Sequence, residues 1–195
     1  MRTLLLLAPL ALAACASSRD VDPSPTVDLT MPGTILNYEV SAGPEIYPFS
    51  VAVVQNDDQA TIFDFDLDLG NATGRVTMSP TARETAGRGM MNTFRTQDYD
   101  LDDRTSVWMS RSDVRRLQAG ETVAINVDGE SETDFAMVGC MAMPVTVHGA
   151  EVSVDVCRYE GAGGRHIVAL DDDADPLILD MDAGPFSVAL KNATR

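Results

Sequence analysis

The chain has 195 residues, 14 basic and 30 acidic, and a formal charge of −16 at pH 7. That length suits one domain with a real core and is short for two. A surface of this sign repels polyanions, so nucleic acid is excluded as a partner and electrostatic attraction to anionic lipid head groups is not expected.

Met1, Arg2 and Thr3 form a short n-region, and Leu4 to Ala14 are uninterrupted apolar residues apart from Pro9. The run is too short to span a bilayer, which takes about 20 apolar residues, and has the length and flanks of a signal-peptide h-region. It ends in Leu12-Ala13-Ala14-Cys15. This tetrad resembles the lipobox of bacterial lipoproteins, whose cysteine sulfur is lipidated and whose leader is cut before it. The resemblance implies residues 1–14 as a signal peptide and Cys15 as the lipidation site. It also implies anchoring by several acyl chains, which hold where a single chain does not. Ala16 in place of Asp points, in enteric-type sorting, to the outer membrane facing the periplasm. The alternative is an ordinary secretory signal cut near Ala11-Leu12-Ala13. Without residues 1–14 the balance is 13 basic against 30 acidic, or −17.

Residues 15–34, punctuated by Pro23, Pro25 and Pro32, read as a flexible tether. Residues 35–195 read as a single β-rich domain. Ile35–Val40 and Phe49–Gln55 are expected strands, separated by the turn-rich Ser41–Pro48. In Phe63-Asp64-Phe65-Asp66-Leu67-Asp68-Leu69 the apolar residues alternate with carboxylates, the signature of a half-buried strand. Gly70-Asn71 is a turn and Arg75–Met78 the returning strand. Pro80 is placed to open a helical turn, and residues 81–93 read equally as weak helix or loop.

Thr105–Met109 is expected to be a strand. Ser110-Arg111-Ser112-Asp113 fits a capping box, Met109 and Val114 a hydrophobic staple, and Gly120 a C-terminal stop, so 111–119 is predicted helical. Further strands are expected at Glu121–Val127, which Asp128-Gly129 ends as a turn signal, and at Phe135–Val138, His166–Leu170, Leu177–Met181 and Phe186–Leu190. The pattern predicts an all-β fold, an antiparallel sandwich or partial barrel built from hairpins, with one short helix near 111–119.

With Cys15 set aside, Cys140 and Cys157 remain as an even pair. If His148-Gly149 is a two-residue hairpin turn, Val147 meets Ala150, Val145 meets Val152, Met143 meets Val154 and Met141 meets Val156. The next pair is Cys140 with Cys157, within reach of a disulfide. The alternative is two free thiols.

No catalytic set or cofactor motif emerges. There is no Gly-x-Ser-x-Gly elbow, and His148 and His166 are the only histidines. Met137, Cys140, Met141 and Met143 have the softness for copper, but on an unbroken strand the methionines face away from Cys140, as core residues do. Asp98, Asp100, Asp102 and Asp103 are expected to form one acidic loop, and Asp171, Asp172, Asp173 and Asp175 another. These are calcium candidates without the spacing of an EF-hand loop. Gly161-Ala162-Gly163-Gly164 precedes a strand rather than a helix and reads as a turn.

Two stretches, Val107-Trp108-Met109-Ser110 with Leu117-Gln118-Ala119-Gly120, and Leu170 through Leu179, resemble a pattern in exported β-rich proteins of no assigned activity. The resemblance implies a shared fold alone. Trp108 is read as a core or rim anchor. The expectation is a membrane-anchored envelope lipoprotein whose β domain binds a protein partner or ligand without catalysis. A carrier of lipid or another apolar ligand is the second reading and an unrecognised hydrolase the third.

Overall fold

The computed structural model describes residues 27–86, 89–129 and 132–195. The expected leader, Cys15 and residues 15–26 of the expected tether lie outside them. Among the described residues eleven strands form one mixed sheet. They are β1 (Ile35–Ala42), β2 (Glu45–Asn56), β3 (Thr61–Leu67), β4 (Ala72–Met78), β5 (Tyr99–Leu101), β6 (Val123–Ile125), β7 (Thr133–Val147), β8 (Ala150–Gly161), β9 (His166–Leu170), β10 (Ile178–Asp182) and β11 (Phe186–Thr194). Two helices, α1 (Pro80–Thr85) and α2 (Arg111–Gln118), interrupt them. The all-β class with a short helix near 111–119 therefore holds.

The strand order is β5-β4-β3-β2-β1-β11-β10-β9-β8-β7-β6, and the end of β11 also touches the end of β7, in parallel, at Ala193 and Val147. Strands β7 to β11 thus close a circuit of five, and β1 to β5 extend from it as an arm. The sheet is not purely antiparallel: β4 and β5 are also parallel.

Alternation explains the arm. Phe63, Phe65 and Leu67 of β3 are buried, while Asp64 points outward to a two-pronged ion pair with Arg75 of β4 at 2.6 and 2.9 Å. Leu69, expected to continue the series, is exposed because the strand ends at Leu67 and a 3-10 turn follows. The buried faces of β1 to β4 share one apolar cluster with Val145, Val147, Val154, Val156, Val168 and Leu179 of the circuit. A second cluster joins Val114 and Leu117 of α2 and Val123 and Ile125 of β6 to Phe135, Tyr159, Ile167 and Ala169. Val168 faces the first cluster and its neighbours Ile167 and Ala169 the second, so β9 is buried on both faces. Tyr38 ties the arm to the circuit: its buried hydroxyl donates to Ile178 O at 2.9 Å, and burial pushes its pKa up.

The capping reading of α2 holds. Ser110 Oγ accepts from Asp113 N–H at 3.2 Å, Met109 and Val114 share the second cluster, and Gly120 has φ 84°. α1 follows the same logic, with Ser79 capping and Pro80 in the first turn.

Several expectations are corrected. The turn between the first two strands is only Gly43-Pro44, because β1 runs to Ala42 and β2 begins at Glu45. The expected tether does not extend to residue 34: Leu29 is 1 % exposed, and Gly33 N–H and Thr34 O bond to Val53. Asp98–Asp103 is not one loop, since Tyr99–Leu101 forms β5. Thr105–Met109 is not a strand but makes isolated bridges at Thr105 and Trp108. A strand would send Val107 and Trp108 to opposite faces; a φ of 64° at Val107 lets both enter the first cluster.

Candidate functional site

The predicted hairpin register is the observed one, from Val147 opposite Ala150 to Cys140 opposite Cys157. His148 and Gly149 have φ 51° and 80°, the positive pair of a type I′ turn. Cys140 and Cys157 are disulfide-bonded, with Cα atoms 4.0 Å apart. Met141 and Met143 lie on the opposite face, but Met137 does not. A bulge between Met137 and Gly139 adds Val138 without a partner, reverses the alternation and packs Met137 against the cluster that holds Cys157.

The calcium candidates do not converge. Asp98 accepts from Arg75 N–H, Asp100 lies in β5, Asp102 and Asp173 are exposed, and Asp171 accepts from Gln118. Asp172 accepts from Ala174 and Asp175 N–H in its own turn. Among the described residues, Cys140, Cys157 and Asp171 are the His, Cys or acidic side chains that gather within 4.8 Å as a possible metal set, and two of them are the disulfide. His166 opens β9 and bonds Asp180 across to β10 at 2.8 Å. Trp108 is the expected core anchor, 2 % exposed and 5.5 Å from the ring of Phe63.

Among the concavities of the described residues, one is a cleft where the arm meets the circuit. It has two chambers that share Thr93, Asp128, Pro185 and Phe186. The first, about 320 Å³, is apolar and lined by Val40, Tyr47, Phe49, Leu67, Phe94 and Val188, among others. The second, about 290 Å³, adds Thr133, Arg165 and Asp182 to an apolar floor of Ile125, Phe135 and Met181.

Local chemistry builds each wall. Asp128 has φ 56° at the turn after β6, and its Oδ1 accepts from Asn92 N–H at 2.7 Å and Thr93 N–H at 3.0 Å. That carboxylate pins the 90–94 segment over the cleft, and Phe94 then lies 4.8 Å from the rings of both Phe49 and Phe65. Phe186 and Val188 come from β11 where it leaves the tight turn at Gly184, whose N–H donates to Asp182 Oδ1 at 2.7 Å. Arg165 donates to Thr133 Oγ1 and, among the described residues, has no carboxylate in ion-pair range. One end of the cleft therefore solvates a hydrocarbon and the other offers a cation and hydroxyl. Sequence reasoning named none of these residues as a site. The one signal was Asp128-Gly129, legible as a turn but silent about what the carboxylate holds.

No helix among the described residues is long and apolar enough to cross a membrane. Comparisons with protein-family models, with curated proteins and with solved structures return no match.

Proposed function

We propose that the chain is a lipid-anchored envelope protein whose β domain is a non-catalytic binding module for an amphipathic ligand. A slim apolar tail would enter the Tyr47–Phe94–Val188 chamber, and a polar head that accepts hydrogen bonds would meet Arg165. The observation that carries this reading is the joining of an apolar and a polar chamber at Phe186. Each chamber reaches about the lower end of the volumes that hold small ligands. Aromatic walls supply area at little entropic cost, and a few placed polar groups orient the ligand. The anchor reading is supported by Leu12-Ala13-Ala14-Cys15 at the end of an apolar run.

The test of the cleft is titration of the full chain with a fluorescent long-chain fatty acid. Saturable binding is expected, lost in Ala42→Trp, because Ala42 lines the apolar chamber without belonging to either buried cluster. Absence of saturable binding, or equal binding by Ala42→Trp, removes the reading. The anchor is tested by palmitate labelling, which Cys15→Ala should abolish.

A further inference from the structure

Between Asp134 and His148 the sequence has no charged side chain, in a chain of net charge −16. This stretch is most of β7. One of its edges is covered by β8 throughout. On the other, β6 pairs only with Thr133–Phe135 and β11 only with Val147. From Ala136 to Val145, then, no strand among the described residues covers that edge. Val138 is 61 % exposed there and Met141 52 %. Proteins blunt open edges with charges, prolines and bulges, because an uncovered row of N–H and C=O groups is a template for another strand. Here the bulge stands at Val138 and a proline at 144, which leaves Gly139–Met143 uninterrupted between them.

The register shows which backbone groups face outward. Opposed residues about 4.5 Å apart are the narrow pairs of an antiparallel ladder, whose N–H and C=O point away from each other, whereas bonded pairs are about 5.5 Å apart. Cys140 and Cys157, at 4.0 Å, are a narrow pair. By alternation Ala142 and Pro144 are also narrow positions, opposite Asp155 and Ser153. Pro144 fits this assignment, since it lacks only a donor that would have faced solvent. The N–H groups of Cys140 and Ala142 and the C=O groups of Cys140, Ala142 and Pro144 are thus available to an added strand.

The two faces define the occupant. On the face of Cys140, β8 presents Glu151 and Asp155 opposite Thr146 and Ala142, and Asp171 stands beside the disulfide; all three acids are exposed. On the other face Met141 is exposed and its neighbour Met143 half-buried. An added strand would lie about 10 Å from the β8 acids, two strand spacings, which a Lys or Arg side chain can bridge. A second copy would bring no base on its own β7 and would oppose two bodies of charge −16. We propose that the β7 edge from Gly139 to Met143 is a strand-addition site for an extended segment of a partner protein that alternates basic and apolar residues.

The probe is a capped peptide of about six residues alternating Arg and Val, the length of a typical strand. Fluorescence anisotropy with the full chain should show saturable binding that weakens as salt is raised. Ala142→Pro removes an outward donor, and Glu151→Gln with Asp155→Asn removes the acids; each should weaken binding about tenfold. A peptide alternating Asp and Val should not bind. Amide exchange on the unaltered chain gives a readout independent of any variant's folding: the peptide should protect the N–H groups of Cys140 and Ala142. Failure of the Arg–Val peptide to bind overturns the proposal, as does undiminished binding by a folded Ala142→Pro or unprotected amides at 140 and 142. Concentration-dependent dimerisation that protects the same two amides without peptide would assign the edge to a second copy and also overturn it.

Discussion

The guanidinium of Arg83, a residue only 5 % exposed, donates to Asp175 Oδ1 at 2.7 Å and to Asp57 O, joining α1 to the β2–β3 turn and to the loop that feeds β10. Arg111 of α2 donates to Ala174 O in the same loop at 2.7 Å. Burial lowers the pKa of Arg83, the proximity of Arg111 adds to that, and Asp175 opposes both. Burial likewise raises the pKa of Asp175, against the pull of Asn56 and Arg83. Neither charge is well solvated, so each depends on the other.

Arg83→Ala should therefore destabilise by about 3 kcal/mol, the cost of leaving one partner of a buried pair uncompensated. Asp175→Asn in the same chain should recover part of the loss. Urea denaturation of the two single variants and the double variant measures the coupling; strictly additive effects would mean that the pair is not a unit.

The disulfide closes a hairpin of sequence separation 17. Replacing both cysteines by Ala should cost about 3 kcal/mol in the chain-entropy account. Cys157 is fully buried and Cys140 exposed, so Cys157→Ser alone should cost more than Cys140→Ser alone, because only the former buries a new hydroxyl. Thermal melts of the double variant against the oxidised parent chain check the size, and melts of the two single variants against the reduced parent check the asymmetry.

Asp113, beneath the cap of α2, is mostly buried, and burial holds its carboxyl above the ordinary range despite its bond with Ser110 and the nearby Arg116. A group whose pKa is higher folded than unfolded binds its proton more tightly in the folded state. Its contribution to stability is full below the unfolded pKa and is lost as pH rises through the folded one. Asp113→Asn suffers no such loss. Urea midpoints taken from the acid end of the carboxylate range to neutrality should shift progressively in favour of the variant, and a pH-independent difference would contradict the assignment.

In the proposed binding mode Arg165, which lines the polar chamber, meets an anionic head; Arg165→Met should then weaken binding of a fatty acid about tenfold, the scale of a lost charge-assisted hydrogen bond. The matching fatty alcohol should bind both proteins alike. Competition titrations with the two lipids separate the head-group role from general damage to the cleft, which would lower both affinities together.

The hairpin is the case in which local rules sufficed. His148-Gly149 demands a two-residue turn, the turn sets the register, and the register places Cys140 opposite Cys157. The helix at 111–118 was equally legible, because cap, staple and terminator all fall between Met109 and Gly120. Local pattern misled at Thr105–Met109, where burial of two successive side chains on one side overrides alternation through a left-handed φ at Val107. It misled again at Met137, where one unpaired residue reverses the faces of a strand.

The cleft lay beyond such reasoning. The walls of its apolar chamber come from β1, β2, β3, the 92–94 segment, the turn at Asp128 and β11, and the polar chamber adds β6, β7 and β10, each unremarkable alone. The arm and the circuit adjoin because β11 pairs with β1 on one edge and β10 on the other, a long-range choice encoded in no single segment. By itself the sequence determined the strand-rich class, the capped helix and the cross-strand cysteine pair, since these depend on neighbours a few residues away or across one tight turn. The buried Arg83–Asp175 pair, the two chambers around Phe186 and the uncovered edge of β7 were decided only by tertiary structure. Each depends on residues distant in the chain sharing, or failing to share, one piece of space.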